Sequence, residues 1–443
     1  MKIGLIAMSG VRVRTEELAR LGVTLPGFVD RGKVIATLPS LGLLVVAALT
    51  PEEHEVAYLE VADLADLRET PEFDLVGISS FSAQIDEAYA LADRYRARGT
   101  RVVLGGTHAS LLPEEALEHA DAVVSGGAEG AWERLVADAA RGRLERVYRG
   151  PNRGFYAAGS PVLPRFDLLA GRPYNRLTIQ TSRGCPLDCD FCAASKIFTP
   201  RFEQKPVAAV EREVRRVVEL FPRPFLEFAD DNTFVDRRWS RELLERLAPF
   251  GLRWFTETDV RVADDPDLPR RLYGAGCYQV LIGFESPREA SLEGIERTNW
   301  KAKRRGRYLE AIDRLQSAGV TVNGCFIVGF DSDTPAIFEE VREFVRASGL
   351  LEAQVTVLTP FPGTRLFDRL KAEGRLLQDR FWDRCTLFDL NFRPKGMSVE
   401  ELEAGMRWLY RELYGEESVR DRRRRYVEIV KRLGGPAVAD EVG

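Results

Sequence analysis

Short apolar runs alternate with segments of helical spacing twice along this sequence, in two series parted by a proline-rich stretch. The first series holds KIGLIAM (2–8), HEVAYLEV (54–61), DLVGISS (74–80), RVVLGG (101–106) and DAVVSGG (121–127), with helical spacing at 84–98 and 129–141. Strands that are apolar along their whole length are covered on both faces, and helices between them make the sheet parallel. Ligands of such sheets sit beyond the carboxyl ends of the strands, where Gly105-Gly106 and Gly126-Gly127 fall. Prolines at 151, 161, 164 and 173 predict a linker over 151–175. The second series holds LTIQTS (177–182), FLEFAD (225–230), WFTET (254–258), QVLIGFE (279–285), VNGCFIVGF (322–330) and AQVTVLTP (353–360). Its helices are expected at 207–220, 239–248, 267–275, 306–318 and 335–348. Six strands fall short of a full eight-stranded barrel. The expected architecture is therefore an α/β domain over 1–150, a (β/α)6 partial barrel over 176–365 and a helical region over 366–443.

Composition narrows the chemistry. Only six cysteines and three histidines occur in 443 residues, too few cysteines for a disulfide scaffold. Three of them, Cys185, Cys189 and Cys192, share one loop directly after LTIQTS, and the next lies 85 positions beyond Cys192. Thiolates are soft ligands that suit iron–sulfur clusters and zinc. A structural zinc site wants four ligands, and this loop offers three with no histidine beside them. Zinc completed from a distant residue is the alternative. Three ligands on a four-iron cluster would leave one iron open to a further ligand. Cys277, Cys325 and Cys385 read as small buried hydrophobes rather than a second cluster.

The arrangement Cys185-Pro-Leu-Asp-Cys189-Asp-Phe191-Cys192 resembles the C-x3-C-x-aromatic-C signature of the radical S-adenosylmethionine (SAM) superfamily. The resemblance implies a [4Fe–4S] cluster held by those three cysteines, with SAM at the open iron and Phe191 beside it. It extends along residues 176–390. LEFADDNTF (226–234) resembles the strand end that faces the SAM ammonium, which would make Asp230 and Asp231 its partners; alternatively they cap the following helix. GFES (283–286) resembles the segment reaching the ribose or methionyl end, which would assign Glu285 and Ser286 to SAM. A glutamate in an apolar strand also needs a partner on physical grounds. CFIVGF (325–330) resembles the strand along the adenine, with Asp331 or Asp333 in place of the usual glutamate. TPFPGT (359–364) resembles the ending of the sixth strand.

The first series resembles the Rossmann-like cobalamin-binding domain that precedes the barrel in class B radical SAM enzymes. Ser79-Ser80-Phe81 stands where the family has S-x-L, and Gly105-Gly106-Thr107-His108 stands where it has its glycine pair, 23 residues further on. Gly127 and Glu129 lie in the segment resembling the last cofactor loop. Small residues would let the nucleotide tail slot between strands. The family's D-x-H-x-x-G motif is missing, so a cobalt held here would have no histidine as lower ligand. The alternative is a domain of this fold that has lost the cofactor. No G-x-G-x-x-G or P-loop follows any strand, which argues against a nucleotide.

The resemblance implies an enzyme that cleaves SAM to a 5′-deoxyadenosyl radical and uses cobalamin to methylate an unactivated carbon of a small molecule. It also implies an external one-electron reductant of flavodoxin or ferredoxin type. Cyclisation, rearrangement or oxidation without methyl transfer stays open, as does a non-catalytic cobalamin or iron–sulfur sensor. A methylthiotransferase is disfavoured because no cysteine precedes Cys185. A net charge of −5 offers no basic field for nucleic acid. The basic run at 420–433 reads as a solvated helix face. The N-terminal run reads as a strand rather than a signal peptide, and no apolar stretch is long enough to span a bilayer, so a cytoplasmic protein is expected. The C-terminal helices are expected to cover the barrel.

Overall fold

A computed structural model describes residues 1–20, 38–151, 153–156, 161–197 and 202–432. Six parallel strands form the first sheet: β1 (Lys2–Met8), β2 (Glu55–Val61), β3 (Leu75–Ser79), β4 (Arg101–Gly105), β5 (Ala122–Ser125) and β6 (Val147–Arg149), in the order β2-β1-β3-β4-β5-β6. The apolar run of β1 serves both faces. Ile3, Leu5 and Ala7 pack beneath the helices Leu41–Leu49 and Ala131–Ala140, whereas Ile6 and Met8 pack beneath Ile85–Arg96. Chain order reverses at β1, with β2 on one side and β3 on the other. That opens a crevice at the carboxyl edge.

The short strand β7 (Leu177–Ile179) begins the second unit. A hairpin of β8 (Ser182–Arg183) and β9 (Glu203–Gln204) follows and brackets the cysteine loop. Then come β10 (Phe225–Phe228), β11 (Arg253–Thr258), β12 (Cys277–Glu285), β13 (Thr321–Val328) and β14 (Glu352–Val357). The sheet order β14-β13-β12-β11-β10-β7 is sequential and parallel, as in a six-stranded partial barrel. Its lumen face runs through Glu257, Leu281 and Asn323 in register, then Gly283, Cys325 and Gln354. The opposite face is core: Val280, Ile282, Val322 and Phe326 are buried.

The C-terminal region does more than cover the barrel. Phe381, Trp382 and Cys385 are buried in the core of the first unit, and Trp382 Nε1 donates to Glu115 at 3.0 Å. Buried Asp389 accepts from the backbone N–H groups of Arg14 (2.9 Å) and Thr15 (2.8 Å), so the loop after β1 is fastened from the far end of the chain. The helix Val399–Tyr414 starts with a capping box between Ser398 and Glu401 and presents Gly405 to Phe338. In the basic helix Glu416–Arg432, Arg422 turns inward to backbone carbonyls while Tyr426 and Val430 pack on Leu351, so that helix is not solely a solvated face. Residue 433 of the predicted helix lies outside the described residues. Among the described residues no helix is long and apolar enough to cross a membrane.

Candidate active site

A cavity of about 290 Å³ opens at the carboxyl edge of the first sheet, between β1, β3, β4, β5 and the helix Leu41–Leu49. Apolar walls come from Leu5, Leu43, Val46, Val103 and Trp132. Missing side chains create the space. A Cβ at Gly77 would lie 3.2 Å from Leu5 and 3.3 Å from Trp132, and one at Gly106 (φ +89°) 2.9 Å from Ser79 Oγ. Ser40 caps the helix that roofs the cavity, accepting from Leu43 N at 3.4 Å. Ser79, Gly105, Gly106, Gly127 and Glu129 line the cavity, and so do Gln180, Arg183 and Ala229 of the barrel. An apolar slot floored by glycines suits a planar heteroaromatic tail. The cavity therefore fits the nucleotide tail of a cobalamin.

Four residues of the expected cobalamin set stand apart from this cavity. His108 is fully buried: Nδ1 is 2.9 Å from Ser82 Oγ, Nε2 is 3.6 Å from Glu115, and its ring meets Trp382 edge-on. The helix Thr107–Leu111 turns this ring toward the other face of the sheet, so His108 is a core histidine. Burial alone would raise Glu115, but the hydrogen bond from Trp382, the adjacent His108 ring and the charge of Arg380 bring it down to about 2. Ser80 Oγ donates to the carbonyl of Phe81, and the Phe81 side chain projects outward, 61% exposed. Thr107 heads the short helix without lining the cavity.

The cysteine loop is held from both sides. Gly184 takes the left-handed conformation (φ +77°) that turns the chain out of β8. Asp230 is entirely engaged in this turn, accepting from Thr181 N (2.7 Å), Ser182 N (2.9 Å), Thr233 Oγ (2.8 Å) and Thr181 Oγ. With its oxygens filled and its side chain buried, Asp230 positions the loop and has no place left for an ammonium ion, contrary to expectation. From outside, Arg365 forks onto Asp188 at 2.9 Å and Arg369 reaches Asp190 at 3.2 Å. Burial raises the thiols of Cys185 and Cys189, and the Lys301 ammonium acts against that rise. Asn232 Nδ2 lies 3.8 Å from Cys185 Sγ and donates to Asp259 at 2.7 Å. Three soft thiols with a cation and an amide donor beside them form a donor set that fits an anionic iron–sulfur cluster. Phe191 packs against Phe330, ring centroids 6.2 Å apart.

Glu285 ends β12 at a register shift, with its backbone in the left-handed region (φ +62°). A non-glycine residue held there stores on the order of 1 kcal/mol and needs its surroundings to hold it. Lys301 does so. Its Nζ donates to Glu285 Oε1 at 2.7 Å and to the Gly283 carbonyl at 3.0 Å. The partner that the buried glutamate required is thus a lysine of the chain. Ser286 is wholly buried, and its Oγ accepts from Arg288 N at 3.1 Å, so it shapes the turn after β12. Asp333 is bonded to Gly329 N and Ser291 Oγ, while Asp331 meets Arg369, Arg375 and Lys395.

Asp231 remains open at the end of β10. Desolvation and the charge of Asp230 push its carboxyl up to about 6, against the backbone N–H of Gly184. Glu257, which no sequence pattern singles out, faces the lumen and is pushed up to about 8 by desolvation and by Glu227, Asp231, Asp230 and Glu285. An acid raised by folding is stabilised in its protonated form, so the fold loses stability as pH rises from the ordinary carboxylate range through 8. Glu257→Gln is expected to raise the melting temperature at pH 9 and leave it unchanged at pH 4. Discounted for solvent at the lumen mouth, the gain is roughly 1 kcal/mol. Scanning calorimetry at the two pH values checks this. Cys325 is half-exposed toward the same lumen, where Glu257, Glu285 and Lys301 act on it, and so departs from the expected core packing of Cys277 and Cys385.

Comparisons with known proteins agree with this geometry. The radical SAM superfamily matches residues 179–345, the B12 binding domain matches 29–136, and a domain of unknown function (DUF4070) matches 364–438. The bacteriochlorophyllide d C-12(1)-methyltransferase of Chlorobaculum tepidum is 28% identical over 402 residues, covering 89% of this chain and 86% of that protein. The bacteriochlorophyllide d C-8(2)-methyltransferase of the same organism is 26% identical over 362 residues, covering 79% and 80%. The radical SAM methyltransferase TsrM of Kitasatospora setae, solved with cobalamin and a [4Fe–4S] cluster bound, shares the fold. Its TM-score is 0.66 at 16% identity, over 98% of this chain and 99% of that one.

Proposed function

We propose that this chain, which belongs to the cobalamin-dependent radical SAM proteins, is a cytoplasmic methyltransferase that places a methyl group on an unactivated carbon of a small molecule. The observation that carries the reading is the cavity of the first unit, whose wall is completed by Gln180, Arg183 and Ala229 beside the cysteine loop. A cofactor in that cavity and a cluster in that loop would face one shared space. When bound, the cluster with SAM supplies a carbon-centred radical and cobalamin supplies a methyl group.

The protein's own part is placement and exclusion of water. Cys185, Cys189 and Cys192 would hold three irons of a cluster, and Asp230 fixes the turn that presents them. Asp231 is open to receive the SAM ammonium. The Glu285–Lys301 pair fixes the end of β12 at the lumen rim. The substrate would enter between the two units, and the electron would come from an external flavodoxin- or ferredoxin-type protein.

The test is anaerobic turnover with SAM, hydroxocobalamin and a strong reductant, scored by mass spectrometry. 5′-Deoxyadenosine together with a product heavier by one CH2 unit supports the reading. 5′-Deoxyadenosine with a product lighter by hydrogens would replace it by cyclisation or oxidation, and no 5′-deoxyadenosine from a protein with a verified cluster would leave a binding protein. Ammonium recognition by Asp231 adds a pH signature. SAM affinity is expected to fall as pH drops through about 6, approaching about tenfold per unit below it. SAM titrations from pH 5 to 8 should show this slope in the wild type and a flat, weaker profile in Asp231→Asn.

A further inference from the structure

Among the described residues, Arg183 is the one Lys or Arg lining the cavity of the first unit, and it belongs to the other unit. Its Nη2 lies 2.7 Å from Glu129 Oε1 on the loop after β5, and its Nε donates to Gln180 Oε1 at 2.9 Å. Phe155 of the linker stacks on the guanidinium at 4.4 Å from the ring centroid, and Tyr156 lies at 5.6 Å. Phe155 is fixed in turn, because its backbone N–H donates at 2.9 Å to Glu203, the cross-strand neighbour of Arg183 in the β8–β9 hairpin. Packing leaves Glu129 no slack either: a Cβ on Gly127 would lie 2.6 Å from Phe155 and 2.8 Å from Glu129 Oε2. The Arg183 side chain is 13% exposed, so this ion pair works largely out of water, where geometry is enforced rather than averaged.

The covalent neighbourhood of Arg183 gives the pair its reach. Gly184, the next residue, makes the left-handed turn into the cysteine loop, and its N–H is directed at the Asp231 carboxyl and lowers its pKa. Cys185 follows. A shift of Glu129 is therefore transmitted through one guanidinium and one glycine to the first cysteine and to the open carboxylate of the barrel. The linker, expected to hold little regular structure, supplies the aromatic rings that keep this connection rigid.

We propose that Arg183 is a positioning residue that couples occupancy of the cobalamin cavity to the geometry of the cysteine loop, through its ion pair with Glu129. The inference rests on the reading of the cavity as a cobalamin site. Coupling between two ligands is reciprocal: whatever SAM does to cobalamin affinity, cobalamin does to SAM affinity. In the cluster-reconstituted wild type, SAM is expected to change hydroxocobalamin affinity by about fivefold or more. Arg183→Gln should weaken hydroxocobalamin by about tenfold and bring the effect of SAM to nothing, with iron content and cluster absorbance retained. Glu129→Gln, which leaves the barrel untouched, should erase the coupling equally. The double variant should be no worse than either single one, as for residues acting as a unit. Arg183→Lys should restore part of the effect.

The measurement is a titration of hydroxocobalamin followed by absorbance, with and without SAM, on each protein, with iron assayed alongside. Coupling that persists in both single variants overturns the proposal while leaving the cobalamin reading intact. A wild type that binds no hydroxocobalamin overturns that reading and the proposal with it. If Arg183→Gln does not fold, Glu129→Gln decides by itself. A merely structural role would lower stability without changing the response to SAM.

Discussion

Alanine at Cys185, Cys189 and Cys192 together is expected to yield a folded protein without iron and with 5′-deoxyadenosine formation reduced by more than about 100-fold. The three thiols are the soft donors of one loop, and the other three cysteines lie outside it. Cys277 and Cys385 are buried in the cores of the two units. Cys325 sits on the lumen face of β13, one strand beyond the Glu285–Lys301 pair. Folding should survive because the loop is fastened by groups other than sulfur: Asp230 inside, Arg365 and Arg369 outside, and the backbone bond from Asp190 N to the Ile295 carbonyl at 2.8 Å. Circular dichroism, iron assay and product analysis on the purified variant make the check. Full retention of iron would show that the ligands lie elsewhere.

The parallel strands were legible because burial on both faces leaves them as continuous apolar runs. β1, for example, is seen at its true limits in KIGLIAM. β6 and the β8–β9 hairpin were not, since strands of two or three residues carry no period. In the site, spacing in the chain reveals soft donors that share a loop, such as the three cysteines. It is silent on pairs made by tertiary register. Lys301 reaches Glu285 from a helix 16 residues later, Arg183 meets Glu129 across the two units, and Glu257 becomes a lumen residue only when β11 is set beside β12. Adjacent residues also diverge. Asp230 turns into the loop and Asp231 faces open space, while His108, two residues from cavity-lining Gly106, is carried to the opposite face of the sheet by about half a helical turn. Cys325 follows the same logic: alternation along β13 puts its neighbours Gly324 and Phe326 in the core and Cys325 in the lumen.

Lys301→Met is expected to be among the most damaging substitutions away from the cysteines, destabilising the protein by about 3–5 kcal/mol. Removing one member of a buried ion pair leaves the other charge without compensation, and here both side chains are nearly sealed, at 7% and 11% exposure. The loss is compounded locally. Glu285 holds its φ of +62° only while its carboxylate is gripped, and Lys301 also ties the Gly283 carbonyl, so both ends of the β12 irregularity come free. Burial opposes charge on Lys301, yet the carboxylate of Glu285, close by and hydrogen-bonded to it, keeps it an ammonium. Its removal therefore also strips a cation from beside Cys189, the proposed cluster ligand, and iron retention should fall together with stability. Pairing the change with Glu285→Gln removes the orphaned charge, so the double variant should recover most of the lost stability. It should not recover the iron, because the cation near Cys189 is still missing. Urea denaturation of the four proteins, with iron assayed on each, separates the two effects. A cost below about 1 kcal/mol for the single variant would mean that the pair acts as a solvated surface bridge, and the strained end of β12 would then need another support.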